Sequence, residues 1–191
     1  MAKHSANLLV DEAEALVRSG ALEPALPKYA AAIKAAGGHP AAVKIRARHG
    51  LILMRLGRND EAAEELARVV AADGSADNRF RLAQAHAFAG RDDEARALLE
   101  GILEREPDHG PAIARLAALY QYTGRPEDAI GLIDAAIGRG LTGREIAHAF
   151  ASFAIKHGRA ADAIDLIRPH SENASMAPDV RAEMLFSLGR L

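Results

Sequence analysis

The stretch Leu56-Gly57-Arg58-Asn59-Asp60-Glu61-Ala62 decides how this chain is read: a tight turn that runs straight into a helix start. It returns as Ala89-Gly90-Arg91-Asp92-Asp93-Glu94-Ala95, as Thr123-Gly124-Arg125-Pro126-Glu127-Asp128-Ala129, and as His157-Gly158-Arg159-Ala160-Ala161-Asp162-Ala163. Successive turn glycines stand 33, 34 and 34 residues apart. A fixed period of that size marks a stack of similar units rather than one globular core. Each glycine can take the left-handed backbone that ends a helix. The acids that follow fall where the next helix presents unpaired N–H groups and its positive dipole end. The motif is a hinge between two antiparallel helices, repeated.

Working outward from the hinge, side-chain size keeps phase. Seven residues before each turn glycine stand Ala13, Gly50, Ala83, Ala117 and Ala151, all small. Five residues after it stand Ala25, Ala62, Ala95, Ala129 and Ala163, every one alanine. Four residues further come Tyr29, Leu66, Leu99, Ile133 and Ile167, all large. Small residues at two fixed points let paired helices approach closely, and the large one fills the space beside them. A chain that was merely rich in alanine would scatter them without register.

The ends follow the frame less closely. Leu8, Leu9, Ala13, Leu16 and Val17 give a helical period over residues 6–18, and Ser19-Gly20 is a weaker copy of the hinge. The next helix has Pro24 near its start, where a missing N–H does no harm, and runs to about Ala36 before Gly37-Gly38. Gly20 and Gly57 are 37 residues apart, so this unit carries about three extra residues around Gly37 to Pro40. In the fifth unit Pro169 is expected to stop the second helix, and Ser171 to Ala177 reads as a loop. Pro178-Asp179 then opens a last helix with Val180, Met184, Leu188 and Leu191 along one stripe. Asp179, Arg181, Glu183, Ser187 and Arg190 give it a polar side suited to capping a stack. Gly189, 31 residues after Gly158, is a sixth copy of the hinge glycine, and the sequence stops at Leu191, halfway through a unit.

The phased small residues and the Ala-x-x-x-large pattern resemble the tetratricopeptide repeat family, in five to six repeats. The closing proline of that family occurs once, at Pro107; its first-helix aromatic is missing from most units, and His49 stands where Leu is usual. The resemblance implies an all-α fold, a right-handed α-α superhelix of five antiparallel helix pairs plus a final helix. On this frame a single repeat domain covers residues 6–191, with units near 6–39, 43–75, 76–109, 110–143 and 144–174 and a half unit over 175–191.

Composition excludes several classes of function. Hydrophobic residues make up 49% of the 191 residues and charged ones 26%, as in an ordinary folded protein. Aromatics are 4% with no Trp, so the core must be built from Ala, Leu and Ile. A net charge of -2 leaves no electrostatic footprint for nucleic acid. There is no Cys, hence no disulfide or thiolate chemistry. No stretch is long enough to span a bilayer, and the run Leu8-Leu9-Val10 is too short for a secretory core, so a cytoplasmic protein without membrane contact is expected.

A catalytic constellation is also missing. No Ser lies in a Gly-x-Ser-x-Gly setting, and no two of the eight histidines stand at i, i+4 with a carboxylate between them. Gly37-Gly38 is followed by His-Pro and lacks the lysine of a phosphate loop. His49, His86 and His148 fall in first helices, where packing or surface roles outweigh ligation. The acids recur once per unit, as helix-start electrostatics would and catalytic pairs would not. The reading is a non-enzyme with no cofactor and no metal.

What remains is surface. In the family resembled, first helices line a concave groove that takes up an extended peptide or a partner helix. Register transfers Asn7, Val10 and Glu14 to that groove from the first unit, and Lys44, Ala47, Arg48, Leu51 and Met54 from the second. Asp77, Phe80, Arg81 and Gln84 follow from the third, Ala114, Arg115, Ala118 and Gln121 from the fourth, and Glu145, His148 and Ser152 from the fifth. Arg48, Leu51, Phe80, Arg81, Gln84, Arg115, Gln121 and His148 are the candidate contact residues, aromatic and Arg side chains being the usual hot spots. Arg48, Arg81 and Arg115 share one repeat position. They form either a basic ladder for acidic groups or ordinary solvated arginines paired with neighbouring carboxylates. Some family members grip chaperone C-terminal carboxylates with Lys and Asn side chains plus one Arg; only the Arg position is matched here, and Val10, Glu14 and Asp77 stand where Lys and Asn would be, so no such binding is expected. A protein-binding scaffold is therefore the leading expectation. The stop at Leu191 raises the alternative of an N-terminal arm of a larger sulfotransferase- or glycosyltransferase-type enzyme, and the stripe over residues 178–191 raises self-association.

Overall fold

The computed structural model describes residues 2–141, 143–158, 160–171 and 189. Among them the secondary structure is entirely helical. The elements are α1 (Ala2–Arg18), α2 (Leu22–Ala36), α3 (Ala41–Arg55), α4 (Asn59–Ala72), α5 (Ala76–Phe88), α6 (Asp92–Leu103), α7 (Gly110–Tyr122), α8 (Pro126–Gly138), α9 (Arg144–His157) and α10 (Ala160–Ser171). They group into two compact units, Met1–Leu98 and Leu99–Leu191, divided within α6. In the first, α2 packs on α1 and α3, and α4 on α3 and α5. In the second, α7 packs on α8 and α9, and α10 on α9.

The hinges explain where the helices stop. Gly20, Gly57, Gly90, Gly124 and Gly158 all have positive φ, between 69° and 82°. Around Gly57 the Gly57 N–H donates to the Met54 carbonyl at 3.0 Å and the Arg58 N–H to the Leu53 carbonyl at 2.9 Å. That pair of bonds satisfies two carbonyls which the end of α3 would leave orphaned. The same two bonds recur at Gly20/Ala21, Gly90/Arg91 and Gly124/Arg125. Gly140/Leu141 repeats them at the end of α8, a second-helix terminus.

The arginine after the glycine has a further role. Arg58 Nε lies 2.7 Å from Glu61 Oε1 in the first turn of α4, and Arg125 Nε lies 2.6 Å from Asp128 Oδ2 in the first turn of α8. Arg58 also reaches back to Glu23 of the preceding pair at 3.5 Å, and Arg91 to Asp60 at 3.2 Å. Glu23 and Asp60 are each three residues past their own turn glycine, so equivalent places are joined along one edge of the first unit. The Arg125 guanidinium sits 4.5 Å over the Tyr120 ring, closing the hinge with a cation–π contact.

Core packing follows the phased positions. Ala25, Ala62, Ala95, Ala129 and Ala163 are each 0% exposed. Ala13, Gly50, Ala83, Ala117 and Ala151 are buried too, as are Tyr29, Leu66, Leu99 and Ile133. In the second pair the small-against-large fit is direct: a Cβ added at Gly50 would lie 2.9 Å from Leu66 Cγ.

Two expectations at the ends need correction. Helix α1 begins at Ala2 rather than residue 6. Helix α10 continues through Pro169 to Ser171. Proline's fixed φ is compatible with a helix, and at this position it removes one N–H bond from the ladder while the helix carries on for two more residues. Pro27 also stands inside α2, five residues after its start. The expected loop beyond Ser171 and the final helix over 178–191 lie outside the described residues, Gly189 excepted.

Candidate functional site

In each unit a pocket opens between the first helices of successive pairs. In the first unit Val43, Lys44, Ala47, Arg48 and Leu51 of α3 face Asp77, Asn78 and Arg81 of α5, with Val69, Asp73 and Ser75 closing one end. The space is about 430 Å³. Val43, Ala47 and Leu51 give its α3 wall an apolar part beside Lys44 and Arg48, which stand one helical turn apart. Arg48 and Arg81 occupy the same repeat position, nine residues before Gly57 and Gly90.

Both arginines are held from one side. Asn78, a buried polar residue, donates from Nδ2 to Asp73 Oδ2 at 2.8 Å and to the Asp73 carbonyl at 3.1 Å. Its Oδ1 accepts from Arg81 at 2.8 Å. Asp73 Oδ1 accepts from the Ser75 N–H at 3.2 Å, so both oxygens of that carboxylate are engaged. On α3, Arg48 lies 3.4 Å from Glu14 Oε1 of α1, the oxygen that accepts from the Tyr29 hydroxyl at 2.9 Å. Burial, and then that bond to Glu14, pushes the Tyr29 phenol up to about 12. The phenol therefore stays a donor from α2 to Glu14 of α1.

In the second unit a smaller space of about 240 Å³ lies between Ala114, Ala118 and Gln121 of α7 and Glu145, His148, Ala149, Ser152 and Phe153 of α9. Its α7 wall is two alanines and the Gln121 amide, and its α9 wall sets Glu145, His148 and Ser152 beside Ala149 and Phe153.

The sequence-derived residues thus separate. Arg48, Leu51 and Arg81 meet in the first pocket, and Gln121 and His148 in the second. Phe80, Gln84 and Arg115 are half-buried on α5 and α7 and line neither of these two pockets. Burial lowers the Arg115 pKa, which distinguishes it from the exposed Arg48. Asn78 was not singled out by the sequence, although a signal exists: the equivalent places of the second, fourth and fifth pairs hold Ile45, Ala112 and Ile146, all buried and apolar. His49 and His86 pack half-buried inside the first unit, each with a buried Nδ1 lacking a hydrogen-bond partner. Among the described residues no three His, Asp or Glu side chains gather as a metal site, and no helix is long and apolar enough to cross a membrane.

Two tetratricopeptide repeat models match the chain, one over residues 10–78 and the other over 53–120 and 89–149. The chain belongs to the tetratricopeptide repeat family. No curated protein matches it significantly in sequence. Solved structures with the same fold include a tetratricopeptide repeat protein from Parabacteroides merdae, with 17% identity, 98% of this chain and 75% of that chain covered, and a TM-score of 0.72. A thermophilic TPR protein from Thermus thermophilus has 19% identity, 96% and 98% coverage and a TM-score of 0.68. MamA from Desulfovibrio magneticus has 17% identity, 70% and 74% coverage and a TM-score of 0.62. In this tetratricopeptide repeat chain, then, both pockets are bounded by the first helices of successive pairs.

Proposed function

We propose that the chain is a non-catalytic protein-binding scaffold whose first-helix face takes up an extended peptide or a partner helix. The observation that carries this is the placement of a pocket between α3 and α5 in one unit and between α7 and α9 in the other. Each has an apolar part beside convergent polar groups, the composition from which recognition sites are built. Second helices, by contrast, spend their inward face on the core through Ala62, Leu66, Ala129 and Ile133.

The test is affinity capture from the organism that makes the protein, with mass spectrometry, comparing wild type with Leu51→Glu and with Gln121→Glu. Leu51 is partly exposed in its pocket, so a carboxylate there perturbs the surface without entering the core. Partners retained by wild type and lost from either variant, at unchanged melting temperature, support the reading. An identical set of partners on all three proteins contradicts it.

A further inference from the structure

We propose that histidines make one wall helix of each pocket respond to pH: neutral His39 and His109 close the first turns of α3 and α7, and protonation opens them. The device goes beyond the scaffold reading and does not depend on it.

His109 is the N-cap of α7. The Ala112 N–H donates to its Nδ1 at 3.1 Å and shares that proton with the His109 carbonyl at 3.0 Å. At the start of α3 the Ala41 N–H donates to His39 Nδ1, also at 3.1 Å. An imidazole nitrogen accepts only while it carries no proton. Protonation turns each acceptor into a donor facing another donor. It also sets a positive charge at the positive end of a helix dipole. Histidine is the side chain that ordinarily changes charge between pH 5 and 8, so mild acidification reaches both caps.

The charges around each cap work in the same direction. At His109 they are Glu106 and Asp108 of its own segment, Arg139 beyond α8, and Arg144 and Glu145 at the start of α9. Asp108 is paired with Arg139 at 3.0 Å, and Glu145 with Arg144 at 3.1 Å. At the start of α3 they are Lys34 of α2, Lys44 of α3, and Asp73 and Asp77 across the pocket. A protonated imidazole turns toward such acids and away from the amide that it capped.

The turns concerned belong to the pockets. Val43 and Lys44, in the first turn of α3, line the space against α5. A Cβ at Gly110, the first residue of α7, would lie 4.0 Å from the Cβ of Glu145, which lines the space between α7 and α9. The facing walls, α5 and α9, start at Ser75 and Gly143 with no side-chain cap. Each pocket thus has one titratable wall and one that is not capped.

The experiment reads helical Cα chemical shifts of the full-length protein by NMR between pH 7.5 and pH 5. On acidification the ratio of open to closed first turn, taken from Ala112 and Ile113, is expected to rise about fivefold, the worth of one cap. Leu116 and Ala117, further along α7, should keep their helical shifts. The same change is expected at Ala41 and Ala42, with Ile52 and Leu53 unmoved. His109→Asn and His39→Asn should hold the turns closed at both pH values, since an Asn oxygen caps without titrating. His109→Ala should leave α7 open at both. A first turn that does not change with pH, a change that persists in the Asn variants, or a loss that extends equally to Leu116 and Ala117 or to Ile52 and Leu53 overturns the proposal.

Discussion

Gly50 and Leu66 give the sharpest test of the register. The other four pairs place alanine where the second has Gly50, and the missing methyl is accounted for by Leu66, which is 0% exposed with its Cγ 2.9 Å from where the Gly50 Cβ would be. Replacing a mid-helix glycine with alanine is worth about 0.8–1 kcal/mol in backbone terms. Against that, a contact under 3.0 Å obliges a buried leucine to move at its branch point, and such overpacking costs about 1–3 kcal/mol. Gly50→Ala should therefore destabilise by about 1 kcal/mol on balance. Leu66→Ala alone should cost about 2–5 kcal/mol through the cavity it leaves. In that background the clash is absent, so Gly50→Ala should turn stabilising by about 1 kcal/mol. The double-mutant cycle then shows a coupling of about 2 kcal/mol, within the range for touching residues. Urea denaturation followed by circular dichroism measures all four proteins. If Gly50→Ala has the same sign with and without Leu66, the proposed packing of the first helix on the second is wrong.

Other outcomes follow from the same geometry. Gly57→Ala should destabilise by about 1 kcal/mol, because φ is +74° with nothing within 4 Å to clash, while Gly131→Ala inside α8, equally open, should stabilise by about 1 kcal/mol in the same denaturation assay. Ala95→Leu and Ala129→Leu should each cost about 1–3 kcal/mol, both alanines being 0% exposed, and parent-like melting would place the hinge register in error. Burial, first among their influences, lowers the pKa of His49 and His86 below the ordinary 6.5. The unfolded chain then takes up protons first as pH falls, so stability is whole above about pH 6.5 and declines below it, toward the folded pKa values. Melting temperatures between pH 7.5 and pH 5 should show this decline, and His49→Leu should flatten it.

The hinges were open to sequence reading because their physics is local. A left-handed glycine, two carbonyls to satisfy and a dipole to complement are settled within about eight residues, and the period of the glycines carries the rest. The buried alanines followed from the same phase. Contacts that join one pair to the next were less accessible. Arg91 reaching Asp60, and Arg48 meeting the Glu14 that Tyr29 holds, link residues some thirty positions apart whose charges look solvated in a linear string. Pro169 misled because proline's fixed φ is itself helical, so the lost N–H bond need not end the helix at that residue. At the candidate site, register alone placed the residues on first helices but could not give the depth of each side chain. It grouped Arg115 with Arg48, although one is half-buried and the other exposed. It missed Asn78, whose polarity at an otherwise apolar core position orients Arg81.

The most direct trial of the central claim is position-resolved photo-crosslinking in the producing organism. A photoreactive amino acid placed at Leu51 or Gln121, on the first-helix face, is compared with the same residue at Glu64 of α4 and Ala135 of α8, both exposed on second helices. Covalent partner adducts from Leu51 and Gln121, with none from Glu64 and Ala135, are the predicted result. Adducts confined to Glu64 and Ala135 would contradict the account.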